Sequence, residues 1–509
     1  MLARVESLAV LGVQGYPVTV EVDLAPGLPA FNTVGLPDGA VRESKERVRA
    51  ALVNSGFELP LNRITVNLAP ADVRKEGSGF DLPIALGILA AAGAFPPQAL
   101  AGLAVVGELA LDGALRPVRG ALPMSVAAAR EKLRGLMVPR ANAPEAAVVR
   151  GVEVLAAERL DQVVDHLAGR RELPRQQVEP GALLQAQDPQ GPDLNEVRGQ
   201  EHVKRALTIA AAGGHNLLMV GPPGSGKTML ARRLPTILPP LSFSEALEVT
   251  QVASVAGLLP PDTPLVTTRP FRSPHHTVSD AGLIGGGSVP RPGEVSLAHH
   301  GVLFLDELPE FKKSTLEVLR QPLESGKVTV TRAAATVDFP ARFMLVAAMN
   351  PCLCGFHGDP KRQCTCTPHQ VRTYQSRVSG PLMDRIDLQV EVPAVPFKEL
   401  SADTCGPSSQ EVRRQVVAAR RVQERRLAPQ GLFCNAQMTT RLTRQHCRLD
   451  TQGLNLLETA MERLRLSARA YGRILKIART IADLDGAERI GLAHLSEAIG
   501  YRSLDRGLA

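Results

Sequence analysis

Tryptophan is absent from the 509 residues, and with 4 tyrosines and 13 phenylalanines the aromatic share is only 3%. Hydrophobic content is nonetheless 44%, so a sizeable interior is expected, filled by Ala, Leu and Val rather than by stacked rings. Cysteine is scarce as well: there are seven, an odd number, and four crowd between Cys352 and Cys366. That crowding excludes the spaced disulfide framework of a small secreted domain. The longest uncharged run, Leu82 to Gly107, could span a bilayer by count, but Pro96, Pro97 and Gln98 break it into a buried helix, a turn and a strand. The N-terminal MLARVESLAVLGVQGYPVTVEVDL carries early charges and alternates like strands, unlike a signal peptide. A soluble cytoplasmic protein with no membrane partner is expected. The net charge of +7 permits a polyanionic partner without requiring one, because affinity follows local clustering.

This length predicts roughly two to four domains, and no solenoid-type repeat is visible. Residues 1–170 mix strand-like YPVTVEVDL, ITVNLAP and GLAVVGELAL with helical AVRESKERVRAALVNSG and DLPIALGILAAAG, an α/β pattern. Residues 171–196 carry four prolines and five glutamines without an apolar face and read as a linker. A second α/β region covers 197–396, a further linker 397–410, and an Arg-rich, helix-periodic segment 411–509.

The strongest signal is GHNLLMVGPPGSGKTML. An apolar strand runs into Gly221, Pro222, Pro223, Gly224, Ser225, Gly226, Lys227 and Thr228, and a helix follows, the context that G-x-x-x-x-G-K-[ST] requires. Glycines let backbone N–H groups curl around phosphate oxygens of ATP, Lys227 holds the β/γ-phosphates, and the Thr228 hydroxyl ligates Mg²⁺. In HHGVLFLDELPEF a buried strand ends in Asp306 and Glu307, with Asp306 suited to the Mg²⁺ shell and Glu307 to polarising the attacking water. A third strand, ARFMLVAAMN, ends at Asn350, which either orients that water or caps the turn begun by Pro351.

With these strands aligned, the chain resembles the ComM/YifB family of magnesium-chelatase-like AAA+ proteins over essentially its full length. The resemblance is carried by RPFRSPHHTVSDAGLIGGG (269–287), GVLFLDELPEF (301–311), AAMNPCLCG (347–355), SGPLMDRIDL (379–388) and SARAYGRILKIARTIADL (467–484), and by VGLPDGAVRESKERVRAAL and KEGSGFDLPIALGILAA. It implies an α/β fold with a Lon-protease-like N-terminal domain, a central AAA+ P-loop domain whose parallel sheet lies between helices, and a C-terminal α-helical lid. Arg385 in LMDRID is similar to the arginine finger that reaches a neighbour's ATP, and Arg469 to the lid's sensor arginine, with Arg473 as the competing choice. A trans-acting finger implies a ring, and the family assembles homo-hexamers.

Two segments are expected at the ring pore. One is the insert Leu258 to His300, with Arg272, His275 and His276; the other is the hairpin-like GKVTVTRAAATVDFPARF, with Lys327 and Arg332. Basic residues there would grip DNA phosphates. The N-terminal domain resembles the Lon peptidase domain without its dyad. Gly79 falls where the serine belongs and Met124 where the lysine belongs, while Ser78 is one position off, so no proteolysis is expected. By resemblance the chain is an ATP-dependent helicase acting on single-stranded and branched DNA, promoting branch migration in natural transformation, with recombination proteins as candidate partners. The competing reading is a chelatase-type ATPase subunit that remodels a metal-insertion partner.

Directly after Asn350, Cys352, Cys354, Cys364 and Cys366 form C-x-C…C-x-C with nine residues between the halves. Four thiolates suit tetrahedral Zn²⁺, with His357 or His369 able to replace one; buried unligated cysteines are the other reading. A redox centre is disfavoured by the lack of a C-x-x-C pair. The expectation is a structural zinc clip that braces the Asn350 and Arg385 segments.

Overall fold

A computed structural model describes residues 1–185, 191–287, 290–332, 335–396, 406–464 and 466–506. In the N-terminal region the apolar alternation of Gln14–Ala25 turns Val18, Val20, Val22 and Leu24 inward. This strand pairs antiparallel along the length of Leu2–Leu11, from Leu2↔Asp23 to Leu11↔Gln14. Gly12, at φ +66°, supplies the left-handed conformation that the tight connection requires. The eight-stranded sheet runs Arg175–Gln176, Glu153–Ala157, Gly135–Pro139, Leu103–Val105, Leu2–Leu11, Gln14–Ala25, Arg63–Ala69, Ala30–Val34. The uncharged run resolves as expected into the helix Asp81–Ala91, buried at every position, a 3₁₀ turn Pro97–Leu100 and the strand Leu103–Val105. Among the described residues no helix is long and apolar enough to cross a membrane.

The central sheet is parallel throughout, in the order Phe271–Arg272, Val302–Leu305, Met344–Met349, Leu217–Val220, Leu388–Glu391. LLMV, VLFL and MLVAAM are buried at every residue, because helices cover both faces of such a sheet. Leu217–Val220 comes first in the chain yet lies between the last two strands to be added. That makes its C-terminal end a topological switch point, where open α/β sheets bind ligands.

Phe271–Arg272 corrects one expectation. The stretch 258–300 is not wholly an insert, because these two residues form the edge strand beside Val302 and Leu303. Gly301 permits the approach: a Cβ there would fall 2.0 Å from the Pro270 carbonyl oxygen. The expected hairpin is present as Lys327–Arg332 paired with Ala335–Pro340. Its apolar face (Val328, Val330, Val337, Phe339) is buried against the core of the central domain, and Val13 of the N-terminal turn packs on the same cluster.

After Glu391 the described residues hold only helices, chiefly Ser409–Leu427, Thr440–His446, Thr451–Leu464, Ala468–Leu484 and Leu492–Gly500. Their apolar faces merge with those of Glu201–Gly213 and Lys227–Ile237 into one core. The stretch 171–196, expected as a linker, is held at both ends. Arg175–Gln176 extends the N-terminal sheet, while Leu194 is buried in the central core and Asp193 Oδ1 accepts from Ser409 N at 3.0 Å. The N-terminal domain docks on the helix Phe243–Ala256, through Leu122 and Val148 against Ala246 and Leu265. Ser254 donates there to the buried Glu145, whose carboxyl burial pushes upward in pKa.

The lid is pinned by Asp483, almost fully buried. It accepts from Arg426 at 2.6 and 3.0 Å, from Arg479 at 3.0 Å and from Asn435 at 2.9 Å. Asp483→Asn leaves two guanidiniums without their buried counter-charge. It should cost about 3–5 kcal/mol of lid stability, read by urea denaturation of the full chain followed by circular dichroism.

Candidate functional site

The phosphate loop follows the central strand at the switch point. Gly221 must lack a side chain, since a Cβ there would sit 2.1 Å from the Val392 carbonyl oxygen, and Gly224 and Gly226 adopt φ of +75° and +90°. Lys227 opens the helix Lys227–Ile237 and is folded back over the loop. Its Nζ donates to Gly221 O at 2.7 Å, Pro222 O at 2.9 Å and Asn350 Oδ1 at 3.2 Å. Burial lowers its pKa, opposed by Asp306 and Glu307. The Thr228 hydroxyl donates to Asp306 Oδ2 at 2.6 Å, and Asp306 Oδ1 accepts from Glu307 N at 2.9 Å. Glu307 is held at φ +52°, a left-handed conformation that a non-glycine residue adopts at a cost of about 1–3 kcal/mol, and its side chain is 59% exposed.

The loop, both carboxylates and Asn350 thus converge as the sequence led us to expect, and the Asn350 side chain faces the lysine. The hydroxyl of Thr228 and the carboxylate of Asp306 supply oxygen donors of the kind Mg²⁺ takes.

Gln200 belongs to this site and was missed by sequence reasoning. At φ +57°, just before the helix Glu201–Gly213, it donates from Nε2 to Ser225 O at 2.9 Å and Pro393 O at 3.0 Å. Its Oε1 is buried without a protein partner. No periodicity or cap signal marks a glutamine for this role.

Arg385, Arg469 and Arg473 gather elsewhere. Leu217 pairs with Leu388 and Val220 with Glu391 in parallel register, so the phosphate loop leaves one end of the sheet and the Arg385 turn enters at the other. Arg469 donates to Asp384 at 3.1 Å and Arg473 to the buried Asp387 at 2.8 Å. All three arginines line a cleft of about 620 Å³ between core and lid, and none of its described lining residues belongs to the phosphate loop. Arg469 is 66% exposed and Arg473 19%, so Arg473 reads as an anchor of the turn, while Arg469 is held by a more exposed pair.

The four cysteines come together. Cys352, Cys354 and Cys364 Sγ atoms lie 3.3, 3.7 and 3.6 Å apart, and Cys366 Sγ accepts from Cys354 N at 3.4 Å. Tetrahedral zinc with 2.3 Å bonds would space sulfurs by about 3.8 Å, so the donor set fits. Backbone N–H groups of Phe356 and Thr365 draw the Cys354 thiol down to about 5, whereas, against the backbone N–H groups that lower them, the Cys364 and Cys366 thiols are pushed up by the crowding sulfurs of Cys352 and Cys354. His357 and His369 lie outside the group. The cysteine loop abuts the phosphate loop: a Cβ on Gly355 would fall 2.4 Å from Pro223 Cδ.

A second cluster, Glu248 with His299 and His300, does not suit a metal. His299 Nδ1 accepts from Arg342 N at 3.0 Å, which puts the proton on Nε2, the atom donating to Glu248 at 2.8 Å. Burial lowers the pKa of His299 to about 4, so it stays neutral there.

Two of the cations expected to contact DNA have partners within the fold. Lys327 is paired with Asp338 at 2.6 Å, and Arg272 forms a two-pronged bridge to Glu294 at 2.7 and 2.8 Å, so both charges are already met within the fold. His276 Nδ1 lies 3.5 Å from Glu307, at the phosphate site, while His275 bonds Thr277. The side chain of Arg332 lies outside the described residues. In the N-terminal domain Ser78 contacts the Glu108 carboxylate, Met124 is buried, and Lys75 Nζ is buried without a partner.

Gln200→Ala strips the donor from Ser225 O and Pro393 O. Nucleotide affinity should fall about tenfold, in the range that losing these two hydrogen bonds allows, by titration with a fluorescent ATP analogue.

Three family models match: subunit ChlI of magnesium chelatase over residues 20–142, magnesium chelatase subunit ChlI over 193–400, and its C-terminal part over 406–502. The competence protein ComM of Haemophilus influenzae is 46% identical, covering 99% of this chain and 98% of its own length. An uncharacterized YifB protein of Salmonella typhimurium reaches 46% over the same shares, and the magnesium-chelatase 38 kDa subunit of Rhodobacter capsulatus 28% over 39% of this chain and 55% of its own. On this full-length similarity, joined to a phosphate loop set against paired carboxylates on a parallel sheet, the chain belongs to the ComM/YifB family of magnesium-chelatase-like AAA+ proteins.

Proposed function

We propose that this chain is an ATP-driven DNA motor working as a homo-hexameric ring, a branch-migration helicase that helps incoming single-stranded DNA integrate during natural transformation. The observation carrying the ring is the separation of Lys227 and Arg385 to opposite ends of the sheet, which leaves each ATP site without a finger unless another copy provides one. The DNA role rests on the relative named for competence. Lys227 holds the β/γ-phosphates, Glu307 orients and deprotonates the attacking water, and Asn350 positions that water against the γ-phosphate. Thr228 and Asp306 would hold Mg²⁺, which when bound would neutralise charge developing on the phosphates. Arg385 and Arg469, side by side at the far end, act across the subunit boundary. Arg473 holds the turn through Asp387.

The second reading, a chelatase-type ATPase remodelling a metal-insertion partner, is favoured by family models that all carry the magnesium-chelatase name. Glu307→Gln should bind ATP normally while hydrolysis drops at least a hundredfold. In the parent protein, single-stranded or forked DNA should stimulate hydrolysis. A rate indifferent to every DNA form, with no branch migration, would move the assignment to the chelatase reading.

The N-terminal region is proposed to be a Lon-like domain kept for scaffolding or nucleic-acid binding. Gly79, Met124 and the Ser78–Glu108 contact support loss of proteolysis, and Ser78-dependent cleavage of casein would contradict it. The four cysteines are proposed to hold a structural zinc that keeps their loop against Pro223. Metal analysis should return about one zinc per chain, and less than a tenth of that in chelator-free protein would refute the clip.

A further inference from the structure

Arg385 is bonded within its own chain in a way that leaves one buried donor without an acceptor. Its Nη1 donates to Pro381 O at 2.5 Å, its Nη2 contacts the Glu324 carboxylate, and its buried Nε has no partner. Burial lowers its pKa, reinforced by the nearby guanidiniums of Arg320, Arg469 and Arg473. Four arginines therefore share one face, and the carboxylates set among them are held unequally. Asp387 is 12% exposed and accepts from Asn216 N as well as from Arg473; Asp384 meets Arg469 and Glu317 meets Arg320. Glu324, which meets Arg385, is 64% exposed.

An exposed carboxylate contributes little when it pairs, because water solvates it nearly as well. A triphosphate oxygen carries more charge and accepts two N–H groups of one guanidinium, so it outcompetes Glu324 and satisfies the open Nε. We infer that Glu324 is a displaceable counter-ion that holds Arg385 in reserve within its own chain and gives it up to the terminal phosphate of a nucleotide bound by the adjoining copy. This rests on the reading that Arg385 acts across the subunit boundary.

The position of Glu324 gives the exchange a consequence. It is the penultimate residue of the helix Arg320–Ser325, which Gly326 ends at φ +67°, and the hairpin strand begins at Lys327. Ser325 Oγ donates to Lys327 O at 2.9 Å, so the helix end and the hairpin base are bonded together. Release of Glu324 in one copy, on arrival of its neighbour's ATP, thereby frees the base of the hairpin that faces the N-terminal turn.

The test is steady-state hydrolysis by the full-length protein and its Glu324→Gln variant, with and without Arg385→Ala. Glu324→Gln should lower the KM for ATP by about threefold to tenfold, because a competent finger is no longer partly withheld as nucleotide binds. Glu324→Asp should fall between, and Glu324→Gln/Arg385→Ala should match Arg385→Ala alone. A purely structural pair would shift the melting temperature and leave KM unchanged. An unchanged or raised KM in Glu324→Gln, or the same decrease without Arg385, overturns the inference. If Arg385→Ala alone leaves hydrolysis intact, the subunit-crossing reading itself falls; if it abolishes hydrolysis while Glu324→Gln changes nothing, only the reserve is lost.

Discussion

Asn216 ties together the pieces on which the rest of the structure depends. Its Nδ2 donates to Arg385 O at 2.8 Å, its Oδ1 accepts from Leu345 N at 2.9 Å, and its backbone N donates to Asp387 Oδ2 at 3.0 Å. One side chain thus locks the strand that carries the phosphate loop, the strand that delivers Asn350, and the turn that presents Arg385. A half-buried amide bonded through both its nitrogen and its oxygen resists any slip of one strand past another. The distance from the phosphate loop to the Arg385 turn is consequently set by strand length and register rather than by mobile side chains.

That constraint explains why the two ends of the sheet do different work. At the C-terminal end, glycines open the backbone to phosphate, and Lys227, Thr228, Asp306 and Asn350 already bond one another. At the N-terminal end, arginines are held by carboxylates of graded burial, from Asp387 to Glu324. The first end carries the phosphate loop and the second the cluster of arginines. The cysteine loop joins this scheme through Gly355, which lies against Pro223, so whatever fixes the four thiols also fixes one wall of the phosphate loop.

Much of this was legible along the chain. The phosphate loop, the carboxylate strand and the Asn350 strand declare themselves because their chemistry is contiguous: apolar runs end in the residues that act. The helical lid and the break in the uncharged run follow from periodicity and proline for the same reason. Gln200 escaped notice because its partners, Ser225 and Pro393, are 25 and 193 positions away. The pairing of Lys327 with Asp338 and of Arg272 with Glu294, 11 and 22 residues on, was not legible because the partners meet only after strand and loop are in place.

Sequence by itself determined the inventory: which strands are buried, where the phosphate loop lies, which four thiols can share a metal, and which arginines are worth watching. Local order suffices for these, since backbone conformation and side-chain chemistry act over a few residues. The tertiary structure alone decided which charges are answered and on which end of the sheet each arginine stands. An ion pair is a matter of ångströms, and only strand register and helix packing bring Glu324 to Arg385 across 61 residues of chain.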